Sequence, residues 1–449
     1  MGKFFTLLII ILIIGGVYYI YPQIEWSSPE VDIKLASENV GMKPFDVEIR
    51  EKGKGIKEVK VVLIKDGVEN VLVNKVYPEG VMGDTVTVSI NPGKLGIKDG
   101  PAELRVEAED RSRIKVFSGN KTTESRNLKL DLVPPAVDLI STEHYINHGG
   151  SGLVVYKTSP DVEISGVSVG DYFFPGYKGN FSEDDVYLSF FAYPYNVEPD
   201  TNIVLIAEDA AGNRKTAAVP YRLKNINYRS SNINISEDFI ENVMVPLAGE
   251  SGQSDHREIF LKVNSELRKA NDAKIKEVGS NSTGEIMWKG AFHQLSNSKV
   301  EANFADHRTY IYNEEPIDEQ YHLGYDLAVT KRYPIEAANS GVVTHAGELG
   351  IYGNAVIIDH GMGVASLYGH MSTIDVNVGD KVKKKQVIGK TGQTGLAAGD
   401  HLHYGVYVNG VAVRPIEWWD NKWIKDNVLL KIDQARAEFG MKPAQKKQN

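Results

Sequence analysis

The chain has 449 residues, enough for several domains of ordinary size, and carries a formal net charge of −9 at pH 7. This acidic balance argues against a nucleic-acid-binding protein, which would present a basic face. Because the sequence contains no cysteine, it can form neither disulfide bonds nor thiolate metal sites, so an exported form would depend on its apolar cores for stability.

The first element is an apolar run. Residues 4–21 read FFTLLIIILIIGGVYYIY and contain no charge, and about 20 such residues span a bilayer as a helix. Lys3 precedes the run and tyrosines lie near its far end, which favours a single-pass anchor over 1–25 with the N-terminus inside. A cleaved signal peptide and a buried core helix are the alternatives. Bulky rings after the run disfavour the first, and its terminal position disfavours the second.

Residues 28–133 are predicted to form an immunoglobulin-like β-sandwich. Segments that alternate, or that are rich in β-branched residues, lie between turn signals such as Asn-Pro-Gly and Asp-Gly. Strands at this spacing suggest a sandwich, and Pro134-Pro135 marks its end. The predicted strands are VDIKL (31–35), FDVEIRE (45–51), EVKVVLIK (58–65), VLVNKVY (71–77), TVTVSI (85–90) and AELRVEAED (102–110).

Residues 134–224 are predicted to form a second sandwich of the same kind. It contains VDLIS, GLVVYK, DVEIS, VYLSFFAY and NIVLIAEDAAGNRKTAAV. Each block nears its end with a strand, a Glu-Asp pair and a turn, at Glu109-Asp110 and Glu208-Asp209, which is a weak internal repeat. The pattern resembles immunoglobulin-like modules of bacterial surface and exported proteins. The acidic pairs are interpreted as solvated hairpin turns, with a calcium site as the alternative.

Residues 225–290 are predicted to be a helical connector, or a lid packed against the next domain. ISEDFIENVM and the stretch 255–276 have helical character, and Asp255 and Glu258 have the spacing of a capping box. Four apolar residues fall on one face of the second helix. They are Ile259, Phe260, Val263 and Leu267.

Residues 291–420 are rich in strand and glycine signals and carry the candidate chemistry. His322 and Asp326 lie in YHLGYDLAV, and His401 and His403 lie in GDHLHYGV. Imidazole and carboxylate ligands suit a borderline divalent metal ion, zinc above all. Two histidines two apart on a strand share one face, roughly 7 Å apart, so one can bind a metal ion while the other handles a proton. Three protein ligands with one open position are typical of catalytic zinc.

Gly324, which lies between His322 and Asp326, supports this interpretation. Gly324 allows the bend that residues four apart need in order to share one ion. Either motif alone is a weak signal, and their combination in this order is far stronger. Residues 421–449 are predicted to form one amphipathic helix, over 421–439, and a frayed tail.

The order of motifs over about 300–420 resembles that of the lysostaphin/LytM-type zinc endopeptidases, β-rich enzymes that cut peptide bonds in bacterial peptidoglycan. The matching segments are FADHRTYIYNEEP, HLGYD, IIDHGMGVASLYGHMS, VNVGDKVKKKQVIGKTGQTGLAAGDHLHYGV and RPIEWW. The resemblance implies that VGDKV…QVIGKTG is a tight β-hairpin leading to the active strand. One departure is AAGD before HLH, where a small residue, glycine and proline are more usual; it touches no ligand position.

The resemblance also implies the roles of five residues. His322, Asp326 and His403 would bind one zinc ion, and His370 and His401 would be catalytic. The implied reaction is metal-assisted hydrolysis, in which one histidine moves protons and the other stabilises the oxyanion, without a decision on which does which.

Other polar residues near the motifs receive structural interpretations. Tyr368 could reach the oxyanion, but packing as a strand aromatic is the simpler interpretation. His360 is placed in a turn, Asp359 at the surface rather than behind a metal-ligand ring, and His345 in an exposed position. The same structural interpretation applies to the histidines that lack partners at useful spacing in the sequence, which are His307, His293, His256, His148 and His144.

The sequence therefore predicts a mainly β, multidomain protein with an N-terminal transmembrane helix, two immunoglobulin-like sandwiches, a helical connector and a C-terminal LytM-type peptidase domain. The predicted function is a membrane-anchored zinc endopeptidase that hydrolyses peptide cross-links of peptidoglycan. It would reside in the cell inner membrane, with the bulk of the chain in the periplasm or otherwise outside the cytoplasmic membrane.

Two alternatives to this function stay open. One is a non-catalytic regulator with the same fold that activates another cell-wall hydrolase, and the other is a scaffold with a vestigial domain. The expected partners are peptidoglycan stem peptides, the cytoplasmic membrane through residues 4–21 and a regulatory protein, with no nucleic acid. The sandwiches would place the enzyme away from the membrane, hold partners or occlude the active site.

Overall fold

The computed structural model describes residues 6, 9–15, 27–112, 119–249 and 255–443. The predicted anchor over 4–21 falls largely outside these residues, although 9–15 are helical. Within the described ranges, no helix is long and apolar enough to cross a membrane. The chain forms two compact units, of which the first runs through Pro135 and takes in Asp161–Glu163 and Glu208–Lys215.

The first unit consists of two β-sheets that pack through one core, and all six segments predicted as strands form strands. One sheet has the order β1-β3-β6 and the other β2-β8-β7-β4-β5. Alternate residues such as Val47, Val61 and Val106 point into the shared core because side chains alternate along a strand. The strands are β1 Glu30–Lys34, β2 Asn39–Val40, β3 Phe45–Arg50, β4 Ile56–Lys65, β5 Val68–Val76, β6 Gly83–Val88, β7 Gly100–Asp110 and β8 Lys121–Leu130, with a helical turn at Pro92–Leu95.

The acidic pairs are not simply solvated turns, which corrects the sequence interpretation. Asp110 is fully buried and its carboxylate accepts hydrogen bonds from the backbone N–H of Ser112 and from Asn120. Asp209 is also buried and accepts from the backbone and the side chain of Asn213. Each aspartate therefore holds its turn by accepting hydrogen bonds from N–H groups close to it in the fold.

The second unit begins with a further set of strands, arranged in sheets β14-β15-β11-β9, β13-β12-β16-β17 and β10-β18. His144 is buried, and its ring contacts Ser141 Oγ and the Pro220 carbonyl, which fits its structural interpretation. The strands are β9 Val137–Leu139, β10 His144–Asn147, β11 Ser151–Thr158, β12 Val162–Val169, β13 Tyr172–Pro175, β14 Tyr177–Lys178, β15 Val186–Ala192, β16 Ile203–Asp209, β17 Arg214–Ala218 and β18 Tyr221–Lys224.

The predicted connector contains helices, but it also contains a strand that sequence reasoning missed. β19 (Ser230–Asn234) pairs in parallel with β21 (His307–Tyr312) and so joins the connector to the last part of the chain. Asp255 caps the longer helix by accepting a hydrogen bond from the Arg257 N–H. The helical segments are Glu237–Phe239, Ile240–Met244 and Val245–Ala248, followed after a gap by His256–Leu261, Lys262–Leu267 and Arg268–Ser280.

The last part of the chain is built on a sheet of order β20-β23-β31-β27-β26-β25-β29, with β32 on β31 and a small sheet β24-β30-β28 beside it. β27 and β31 are buried along their whole length. The remaining elements are β20 Lys299–Ala302, β22 Glu315–Tyr321, β23 Tyr325–Ala328, β24 Pro334–Glu336, β25 Gly341–Glu348, β26 Asn354–Gly361, β27 Val364–Gly369, β28 Thr373–Ile374, β29 Lys381–Val382, β30 Val387–Lys390, β31 Leu402–Val408 and β32 Val411–Val413, with helical segments at Gly350–Tyr352, Pro415–Trp419, Asn421–Ile424, Lys425–Leu429 and Leu430–Glu438.

Four sequence interpretations in this part are wrong. β29 and β30 do not form a hairpin, because β29 pairs with β25 while β30 pairs with β24 and β28. His360 is fully buried and contacts the Ser340 carbonyl and Ser366 Oγ. Asp359 is also buried, where it accepts hydrogen bonds from the 282–283 loop. His345 is only half-buried, not exposed.

Candidate active site

Adjacent strands bring the predicted metal ligands together. Asp326 on β23 and His403 on β31 are direct partners across the antiparallel pair, and Gly369 at the end of β27 faces His403 from the other side. His370 follows with a left-handed backbone, φ 61°. His401 precedes β31, where it forms a bridge to Gly392. The order of three strands in one sheet therefore gathers motifs that are far apart in sequence.

Three candidate ligand atoms converge on one point. His322 Nε2 lies 2.9 Å from Asp326 Oδ1 and 3.0 Å from His403 Nδ1, and the last two atoms are 3.1 Å apart. Ligand atoms bound tetrahedrally to one zinc ion at its usual bond length are roughly 3.3 Å apart. Two ring nitrogens and a carboxylate oxygen in this arrangement are satisfied together by a cation, so the residues present fit a zinc ion.

Backbone carbonyls orient three of the four histidines. The Nδ1 atoms of His322, His370 and His401 lie 2.8–2.9 Å from the carbonyls of Asn303, Thr394 and Gly399 respectively. Because a carbonyl can only accept, each Nδ1 must carry the hydrogen, which leaves Nε2 of the neutral ring unprotonated. Such carbonyl partners commonly fix metal-binding and catalytic histidines.

Gly324 is required by close approach rather than by an unusual φ. A Cβ at this position would lie 2.5 Å from His403 Nε2 and 2.7 Å from the Tyr404 carbonyl. The backbone of the HLGYD loop can therefore pass the His403 ring only without a side chain. The predicted role of Gly324 in bringing His322 and Asp326 together is consistent with this contact.

The ionisable residues of the site differ in the direction and cause of their pKa shifts. Burial alone would raise the pKa of Asp326, but the charge and hydrogen bond of His322, with further bonds from His401 and His403, hold it well below its usual range. Burial, helped by the neighbouring His401 and His403, lowers the pKa of His370 to about 3. Burial also lowers the pKa of His403 to about 4. The pKa of His401 is instead raised, because contacts with Asp326 outweigh burial.

The two predicted catalytic histidines lie side by side at the edge of this cluster. Their ring centroids are 4.8 Å apart, and the His370 ring lies 5.9 Å from that of His403. Tyr368 does not reach the site. It is buried, stacks edge-on against Tyr404 and accepts a hydrogen bond from the Ala338 N–H, which supports its interpretation as a packed strand aromatic.

A cavity of about 370 Å³ opens over these residues, and its lining includes groups that sequence reasoning missed. The metal-site wall consists of His322, Asp326, His370, His401 and His403. Other lining residues come from the connector. They form the connector wall, which consists of Phe239, Met244, Phe260, Asn264 and Arg268. The lid interpretation of the connector anticipated such packing, but nothing in its local sequence singles out these side chains.

Comparison with known proteins places the last part of the chain in a class. Residues 320–415 match the model of Peptidase family M23. This part of the chain is therefore a LytM-type M23 peptidase domain, as the sequence resemblance implied.

Two curated relatives, Mpg and ShyA, agree with that assignment. Over 95 residues the chain is 43% identical to the DD-carboxypeptidase/endopeptidase Mpg of Neisseria meningitidis serogroup B, a match that covers 21% of this chain and 22% of Mpg. It is 30% identical over 155 residues to the peptidoglycan DD-endopeptidase ShyA of Vibrio cholerae, covering 34% of this chain and 33% of ShyA. The solved catalytic domain of lysostaphin from Staphylococcus simulans is 28% identical and matches 29% of this chain and 98% of that one, with a TM-score of 0.26. The chain thus spans only about a fifth to a third of these two curated relatives.

Proposed function

We propose that this protein is a zinc-dependent endopeptidase that hydrolyses peptide cross-links of bacterial peptidoglycan. The observation that carries the proposal is the convergence of His322, Asp326 and His403, with ligand atoms 2.9–3.1 Å apart, beside two further histidines in one cavity. The substrate class is supported by the names of Mpg and ShyA, which describe DD-endopeptidases.

The five residues of the site would have different roles. His322, Asp326 and His403 would hold the zinc ion, and when bound there zinc supplies Lewis acidity that polarises a carbonyl and acidifies a water molecule. In their neutral forms His370 and His401 each leave Nε2 unprotonated, because each Nδ1 donates to a carbonyl. One of them accepts the proton of the attacking water and returns it to the leaving amine, while the other donates to the oxyanion when protonated.

Digestion of purified peptidoglycan by the full chain tests this proposal. Wild-type protein is expected to release muropeptide fragments, and His401→Ala to lose roughly 100-fold or more in rate because a positioned acid–base group contributes about that much. His345→Ala is the matched control, since His345 is a half-buried histidine on β25 that does not line the cavity. Digestion that survives equally in His401→Ala, or that is absent from the wild type, would favour the non-catalytic regulator.

The proposal includes a membrane anchor at residues 4–21, with the remaining chain outside the cytoplasmic membrane. It is supported by the charge-free apolar run and the lysine before it. Full-length protein is expected to stay with membranes after a high-salt wash, while a chain lacking residues 1–25 is released. Equal release of both chains would contradict the anchor.

A further inference from the structure

The catalytic cavity holds a cationic side chain that the proposed hydrolysis does not use. Arg268 lines the cavity from the connector wall, and it lies in the helix over 256–280, outside the matched M23 residues. Since it lies far in sequence from the zinc motifs, its presence is a property of this chain's connector.

The guanidinium of Arg268 is held along one edge only. Its Nε donates to the Asn264 carbonyl at 2.9 Å and its Nη2 donates to Asn264 Oδ1 at 2.8 Å. Asn264 is fully buried and is fixed in turn by a 2.7 Å hydrogen bond to Asp318 Oδ2. The guanidinium therefore has a defined orientation before any ligand arrives, and Nη1 takes no hydrogen-bond partner from the described part of the chain.

The charge of Arg268 has no counter-ion within ion-pair distance among the described residues. Glu301 and Asp400, which line the same cavity, form no ion pair with Arg268. The charge of Arg268 acts on Asp272, one helical turn away, at longer range than an ion pair, where it opposes the burial that raises the pKa of Asp272 to about 6. A half-buried arginine ordinarily finds such a partner, because desolvating a charge is costly unless the charge is paired. An anionic group of a substrate that enters the cavity would therefore meet Arg268 without an ion pair in the described part of the chain.

A second guanidinium strengthens the same preference. Arg308 on β21 lines the cavity, and its only ion pair within the described ranges is a long one, with Nη2 3.5 Å from Asp326 Oδ2. A planar guanidinium fork matches a carboxylate and binds it through charge-assisted hydrogen bonds. Apolar side chains, Phe239 and Phe260 among them, line the same cavity.

We propose that Arg268 binds a free carboxylate of the peptide substrate, so that the enzyme prefers stem peptides that carry such a carboxylate near the scissile bond. The inference rests on the proposed peptidase function and narrows its substrate class. Two sources offer the same chemistry: the α-carboxylate at the end of a peptide chain, and the side-chain carboxylate of an internal residue.

Binding of muropeptides to the full-length His401→Ala protein, in which turnover is suppressed, tests the inference. The probes are a cross-linked muropeptide dimer, the same dimer with its terminal carboxylates amidated, and the same dimer with its side-chain carboxylates amidated. Amidation at the recognised position is expected to weaken binding roughly 10-fold or more, the usual size of a hydrogen-bonded charge contact. The probe that loses affinity identifies the source.

Adding Arg268→Met to this background should abolish the difference between acid and amide probes while leaving affinity for the amide probe unchanged. A purely structural role for Arg268 would instead weaken both probes alike. Arg257→Met is the control, because Arg257 lies on the same helix but is exposed and does not line the cavity. Equal affinity for acid and amide probes overturns the inference without any variant, so it stays testable if Arg268→Met fails to fold.

The outcome is separable from that of the proposed function. If the wild type fails to digest peptidoglycan while the acid preference and its loss in Arg268→Met are observed, the carboxylate site stands and the hydrolase does not. If digestion occurs without an acid preference, the reverse holds.

Discussion

The two walls of the cavity differ in how the chain builds them. The metal-site wall comes from strand ends and turns of one sheet, where the cross-strand register sets Asp326 opposite His403. The connector wall comes from helices that reach the same cavity by packing, through residues such as Phe260 and Arg268. Short motifs therefore determine the chemistry of the site, whereas the packing of a segment that is distant in sequence determines the shape of the cavity.

The largest expected effect is on the metal-site wall. His322→Ala removes one of three ligands, and we expect loss of bound zinc and at least a roughly 1000-fold loss in rate, since the metal contributes several kcal/mol to the transition state. Elemental analysis and muropeptide release measure the two effects. The half-buried His345→Ala should retain both zinc and activity.

A substitution in the connector wall is expected to lower stability without removing the zinc ion. Phe260 is buried to 1% exposure and its ring lies 5.3 Å from that of Tyr310. Phe260→Ala should cost about 3–5 kcal/mol of packing, loosening the connector and increasing its cleavage by added protease while zinc content stays unchanged. Phe173→Ala, at an exposed phenylalanine, is the control and should change stability little. Loss of zinc in Phe260→Ala would show that the two walls are not independent.

A buried carboxyl group ties the peptidase part to β10 and β11. Glu417 is buried and accepts hydrogen bonds from Asn147 Nδ2 at 2.6 Å and from the Ser151 N–H at 2.9 Å. Burial raises the pKa of Glu417 to about 7, although these donors and Arg414 oppose the rise. The folded state therefore binds this proton more tightly than the unfolded chain does.

The resulting stabilisation is fully present below the unfolded pKa near 4.5 and is lost as the pH rises through about 7. It amounts to at most about 3 kcal/mol. Thermal unfolding at pH 5 and pH 8 should show a lower Tm at the higher pH, and Glu417→Gln should flatten this dependence. An unchanged pH dependence in Glu417→Gln would assign it to other groups.

The smallest expected effect tests how tightly the sheet holds the ligands. Gly324→Ala would place a methyl group 2.5 Å from His403 Nε2, so the ring or the loop must shift. We expect zinc affinity to fall by about 10-fold, the lower end for altered ligand support, as measured by competition with a chelating dye. Wild-type affinity in this variant would mean that the loop adapts without disturbing the ligands.

The elements that could be predicted from the sequence are those with alternating apolar residues or recognisable motifs. The strands of the first unit were predictable because apolar residues such as Val47 and Ile49 alternate with polar ones, whereas β8 was missed because KTTESRNLKL buries only Leu128 and Leu130. The five site residues stand in recognisable motifs, and the structure brings them into one cluster. Arg268 and Asn264 carry no such signal, because their role comes from the way a helix packs over a sheet far along the chain.

The most direct test of whether His322, Asp326 and His403 bind a zinc ion is the zinc stoichiometry of the purified full-length chain, compared with that of His322→Ala. One zinc ion per wild-type chain, lost in His322→Ala and retained in His345→Ala, is the result that the converging ligand atoms predict. A wild-type chain that binds no zinc, or a His322→Ala variant that binds zinc as tightly as the wild type, would contradict the proposed zinc site.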